Sequence, residues 1–128
     1  MIRIHATFPI AVTTADSFYL PVPCRGNIKA VRAVYSQETD VDETITLEQG
    51  TNDVFVCTPP ADATAEGVSF EGVVDATYGE YIFDPDSTTA ANRVIKVTVP
   101  NTFDTAGELG LSIDYDDSAA QTQSPSEE

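Results

Sequence analysis

Apolar and polar residues alternate with period two in several short runs of this chain. Ile2, Ile4, Ala6 and Phe8 alternate with Arg3, His5 and Thr7 before Pro9, which predicts a strand with one buried face. Thr44–Glu48 places Ile45 and Leu47 on one side, Gln49–Asp53 carries a hairpin signal, and Val54–Cys57 returns before Pro59-Pro60. Arg93–Val99 and Leu109–Tyr115 alternate as cleanly. Ile28–Tyr35 is mostly apolar and predicts a strand covered on both faces except at Lys29 and Arg32. Three weaker pieces follow the same logic. Ser17–Pro23 holds two prolines and reads as an edge or connector. Val68–Glu71 reads as a strand that continues past a bulge through Gly72–Asp75, and Tyr81–Phe83 is a short extended piece. Residues 61–67 offer at most one helical turn.

About eight strands separated by turn residues predict an all-β fold. The natural architecture is a single antiparallel β-sandwich, arranged as a jelly roll. The domain spans residues 1–117 and begins with an extended N-terminal segment. Residues 118–128 are small, polar and acidic, and predict a disordered tail. No internal repeat is visible. Prolines and carboxylates are expected to blunt the sheet edges.

Composition agrees with this reading. Val, Ile and Thr make up 37 of the 128 residues, whereas Leu, Met and Lys together number seven. β-Branched side chains suit a pleated surface, and the straight-chain helix formers are scarce. Charge adds a further constraint. The net charge is −15. Residues 1–36 hold Arg3, Arg25, Lys29 and Arg32 against Asp16 alone; the remainder holds Arg93 and Lys96 against 20 carboxylates. Such a surface opposes binding to nucleic acid or to an anionic membrane. The plain reading is a solvated acidic surface; the sharper one is a basic N-terminal face that docks on an acidic partner or on a second copy's acidic face. Met1–His5 reads as a strand, not a leader, and no apolar run approaches the roughly 18 residues of a membrane span.

Few residues suggest chemistry. The one histidine, His5, sits on the polar side of the first strand; a triad with Asp16 and Ser17 can be written down, but no nucleophile motif surrounds the serine. No enzymatic activity and no cofactor are therefore expected. Cys24 and Cys57 follow no metal-ligand spacing; both lie in apolar, strand-like contexts, as buried thiols or as a disulfide. Asp40-Val41-Asp42-Glu43, Asp84-Pro85-Asp86 and Asp114–Asp117 group carboxylates as solvated loops or as Ca²⁺ ligands, with Asp114–Asp117 the best placed. Paired acids also occur in glycosidases, but the chain has no tryptophan to stack on a sugar. Arg3, Arg25, Lys29 and Arg32 form the one constellation suggestive of partner binding. Lys29 and Arg32 are three apart, so they face opposite sides unless a bulge intervenes.

Taken together, the extended stretch Met1–Pro23, the Asn27–Tyr35 strand, the Thr44–Val56 hairpin (TITLEQGTNDVFV) and the closing segment Ala91–Asp117 resemble the small decoration, or cement, proteins of tailed-bacteriophage heads. The resemblance implies a jelly roll on the capsid exterior of the virion, bound to neighbouring major capsid protein subunits, commonly as a homotrimer and without a cofactor. It makes Arg3, Phe8, Phe18, Tyr19, Arg25, Lys29 and Arg32 the expected partner-binding residues. The other function kept in view is a receptor- or glycan-binding domain of a tail fibre or surface adhesin, with Tyr78 and Tyr81 beside Gly79 as contacts.

Overall fold

A computed structural model describes residues 1–75 and 81–118. The strands are β1 (Ile2–Ile10), β2 (Asp16–Pro21), β3 (Asn27–Tyr35), β4 (Ile45–Gln49), β5 (Asn52–Cys57), β6 (Ser69–Glu71), β7 (Val73–Val74), β8 (Val94–Val99) and β9 (Gly107–Asp116). One sheet has the order β1-β9-β3-β6 and the other β2-β8-β4-β5-β7. All pairings are antiparallel. Leaving aside the two-residue β7, the strand order is that of an eight-stranded jelly roll.

The alternation seen in the sequence sets the inner faces. Leu109, Leu111, Ile113 and Tyr115 of β9 point inward with Val31, Ala33 and Tyr35 of β3. Ile45, Leu47, Ile95 and Val97 face them from the second sheet, all fully buried. Phe83 and Phe103 come from loops and are also fully buried. Two tyrosines pin opposite ends of the sandwich. The Tyr35 hydroxyl donates to the Glu43 carbonyl at 2.9 Å, and the Tyr115 hydroxyl donates to the Cys24 carbonyl at 2.7 Å. Gly50, at φ 63°, makes the tight β4–β5 turn in a conformation that side chains rarely adopt.

Three local expectations change. β3 has only one buried face: Ala30 and Val34 lie half-exposed on the other side. A register shift between Ile28 and Ala30 leaves Lys29 on a bulge, so Lys29 and Arg32 are both exposed. Gly72 is a crossing between sheets, not a bulge within one strand. Before it β6 pairs with β3; after it β7 pairs with β5. A β-carbon at Gly72 would lie 2.8 Å from Cys57 Sγ and 3.3 Å from Val31 Cβ, so the chain can pass there only without a side chain. Tyr81–Phe83 forms no strand beyond the single Gly26–Phe83 bridge.

Candidate docking surface

At the flank formed by β1 and β2 the sandwich is only partly closed. Ile2, Ile4 and Ala6 of β1 and Phe18 and Leu20 of β2 pack against the core but remain only partly buried. Phe8 and Phe18 stack across the gap between the sheets, with ring centroids 4.7 Å apart. Tyr19 is 61% exposed on the outer side of β2.

β1 also has an open main-chain edge. The Ser36 N–H donates to the Glu108 carbonyl at 2.9 Å, so the Glu108 main chain faces β3. Alternation along β9 then turns Leu109, Leu111, Ile113 and Tyr115 toward β1, opposite Phe8, Ala6, Ile4 and Ile2. The N–H and C=O groups of Arg3, His5 and Thr7 must therefore point away from the sheet. Pro9 shares that orientation, and its missing N–H costs no ladder bond. Among the described residues nothing pairs with this edge. The sequence-based expectation of blunted edges holds for β2, which carries Asp16 and Pro21, and fails along most of β1.

The expected basic face is not bare. β9 lies between β1 and β3 and interleaves acids with the N-terminal cations. Arg3 Nε meets Asp114 at 2.8 Å, Arg32 Nη2 meets Glu71 at 2.9 Å, and Arg25 Nη1 lies 3.9 Å from Asp84. The main-chain amine of Met1 meets Asp117 at 2.8 Å, and this pairing holds the Asp117 carboxyl below the usual range. Lys29 makes no ion pair among the described residues. The outer face of the β1-β9-β3-β6 sheet brings Arg3 and Arg32 together. They line a depression of about 170 Å³ with Ala30, Glu71, Ser112 and Asp114. A second depression of about 420 Å³ on the same face lies over Val34, Gly110 and Ser112, between His5 and Arg32. Arg25 is set apart, in the β2–β3 connection. Phe8 is 8% exposed and belongs to the core, so it supports the flank from beneath.

The other candidate groups are distributed as follows. His5 is on the outer face of one sheet and Ser17 is on a strand of the other, so the triad does not assemble. Asp114 and Asp117 each face a cation, and Asp116 accepts from the Ser118 N–H at 3.0 Å, an interaction that holds its carboxyl low. The best-placed carboxylate group is instead Asp40, Asp42 and Glu43, whose nearest oxygens lie within 4.8 Å of one another. Glu43 is almost fully enclosed and accepts from the Asp40 N–H; burial, then the negative fields of Asp104, Asp40 and Asp42, raise its pKa against that bond. Spacing along the chain did flag this group, but its closeness depends on the fold of the 36–44 loop. Both cysteines are free thiols. Cys57 is buried, which pushes its pKa up to about 12, whereas Cys24 lies in the β2–β3 connection, not on a strand, and is partly exposed. Tyr78 lies outside the described residues, and Tyr81 packs half-buried against the core. No described helix is long and apolar enough to cross a membrane.

No family model, curated protein or solved structure matches the chain.

Proposed function

We propose that this protein is a virion structural component that decorates the outer surface of a tailed-phage head and cements neighbouring major capsid subunits. The observation that carries the reading is the open β1–β2 flank, where a partly covered apolar strip lies beside an unpaired main-chain edge. Both features gain from being covered: apolar burial supplies affinity, and ladder hydrogen bonds fix orientation. The jelly roll is also a fold that viral shell proteins use. Arg3, Arg32, Lys29 and Tyr19 lie around this flank or on the adjoining outer faces and would set the register of docking. Each contact is modest, and fixed geometry over many sites on a shell makes the sum strong. The charge of −15 favours solubility of the unbound protein.

The test is co-sedimentation of the purified protein with isolated heads of the phage that encodes it, over a range of salt. Pelleting at a fixed ratio to capsid subunits, weakened by Arg3→Glu and Arg32→Glu together, is the expected result. A protein that stays in the supernatant at every salt concentration overturns the reading, and binding to a glycan array in its place would point to a fibre tip or adhesin.

A further inference from the structure

We infer that the β1 edge is a self-association site: two copies join β1 to β1 in antiparallel fashion across a two-fold axis. The contact needs no shell but takes up the same main-chain edge as the proposed docking, so a joined pair would meet a head through Tyr19 and the outer-face cations, and self-association and head binding are measured separately.

Edge protection differs among the strands. β2 carries Asp16 and Pro21, β6 is three residues long and ends in Glu71, and β7 has two residues followed by Asp75. β1 is nine residues long and holds no carboxylate. Two chains of charge −15 repel over most of their surfaces, and β1 is the long edge on which they approach with no acid on either contacting strand.

One register fits the side chains and the main chain together. Centring the axis on Ala6 overlaps the whole of β1, so that Ile2 faces Ile10 of the second copy and Ile4 faces Phe8. The inward apolar row of each copy then continues into the other, and the partly buried Ile2 and Ile4 gain cover. Ala6 meets Ala6 at a non-hydrogen-bonded pair, where side chains approach most closely and a small residue fits. His5 pairs with Thr7 of the second copy, and Arg3 with Pro9. In this pairing the free N–H groups of Arg3, His5 and Thr7 all find acceptors, and Pro9, which cannot donate, is needed only as one. The charges agree as well. Pro9 lies opposite Glu108 within its own sheet, and Glu108 is exposed and makes no ion pair among the described residues. Arg3 of one copy therefore comes within two strand spacings, about 10 Å, of Glu108 of the other, a span two long side chains can close. The result is a continuous eight-stranded sheet across the pair. An isologous contact of this kind closes at two copies.

Analytical ultracentrifugation of the purified chain from micromolar to millimolar concentration, with circular dichroism on each variant, tests this. The parent is expected to form dimers. His5→Pro removes a donor that the monomer does not use. It should leave the spectrum unchanged and weaken the dimer by at least about tenfold, since two hydrogen bonds are lost per pair. Ala6→Cys in a Cys24→Ser background should give a covalent dimer under mild oxidation. A parent that stays monomeric at millimolar concentration overturns the inference. So does a trimer, or a dimer that His5→Pro leaves intact and Ala6→Cys fails to cross-link.

Discussion

Replacing Tyr115 by Phe tests whether the end of the sandwich near the termini is held as described. Tyr115 is fully buried, and its hydroxyl donates to the Cys24 carbonyl at 2.7 Å. The substitution keeps the ring and removes one oxygen, so almost no apolar packing is lost. What is lost is a short hydrogen bond, and the Cys24 carbonyl is left without that donor. Such a change costs about 1–2 kcal/mol, the upper part applying if the carbonyl finds no water. For a domain of this length each kcal/mol lowers Tm by roughly 3–5 °C. Tyr115→Phe should therefore melt about 3–10 °C below the parent and lose the same 1–2 kcal/mol in urea, with unchanged denaturant slope. Tyr19→Phe is the control: that residue is 61% exposed, and the change should fall within about 0.5 kcal/mol of the parent. If Tyr115→Phe is as neutral as Tyr19→Phe, the hydroxyl does not tie the β2–β3 connection to β9, and the reasoning is wrong.

Other outcomes follow from single contacts. Glu43→Gln should flatten the pH dependence of stability on the acid side. The native Glu43 carboxyl holds its proton to higher pH than the unfolded chain does, so its contribution is full below the ordinary glutamate range and falls as pH rises through the native value; urea midpoints at a series of pH values measure the slope. Gly72→Val should destabilise the fold by several kcal/mol, about 3 or more, because a side chain there meets Cys57 Sγ and Val31; a thermal melt close to that of the parent would refute the sheet crossing. A thiol reagent should label Cys24 in the folded protein and Cys57 only after denaturation, and mass spectrometry of the labelled peptides distinguishes the two. Arg32→Ala should cost no more than about 1 kcal/mol in urea, since its ion pair with Glu71 is exposed on both sides.

Much of the fold is legible in the chain because strand alternation is a local property. Ile2–Phe8, Ile45–Leu47, Ile95–Val99 and Leu109–Tyr115 announce their inner faces without reference to a partner strand. The Gly50 turn and the prolines after β5 and β8 mark boundaries for equally local reasons, whereas Pro9 does not end β1, which runs on to Ile10 because a proline facing the open edge costs no ladder bond. The all-β class and near-correct strand limits follow from these signals.

Strand order is different, because pairing joins residues more than a hundred positions apart. Only the tertiary structure places β9 between β1 and β3, and that placement sets Asp114 against Arg3 and removes the bare basic face suggested by the charge of residues 1–36. It also decides that Phe8 is core, that Gly72 crosses between sheets, and that Asp40, Asp42 and Glu43 converge. The open edge of β1 belongs to the same class of fact. The sequence by itself determines which side chains of β1 face inward; which main-chain groups are left without a partner depends on the neighbour the strand acquires when the two sheets close.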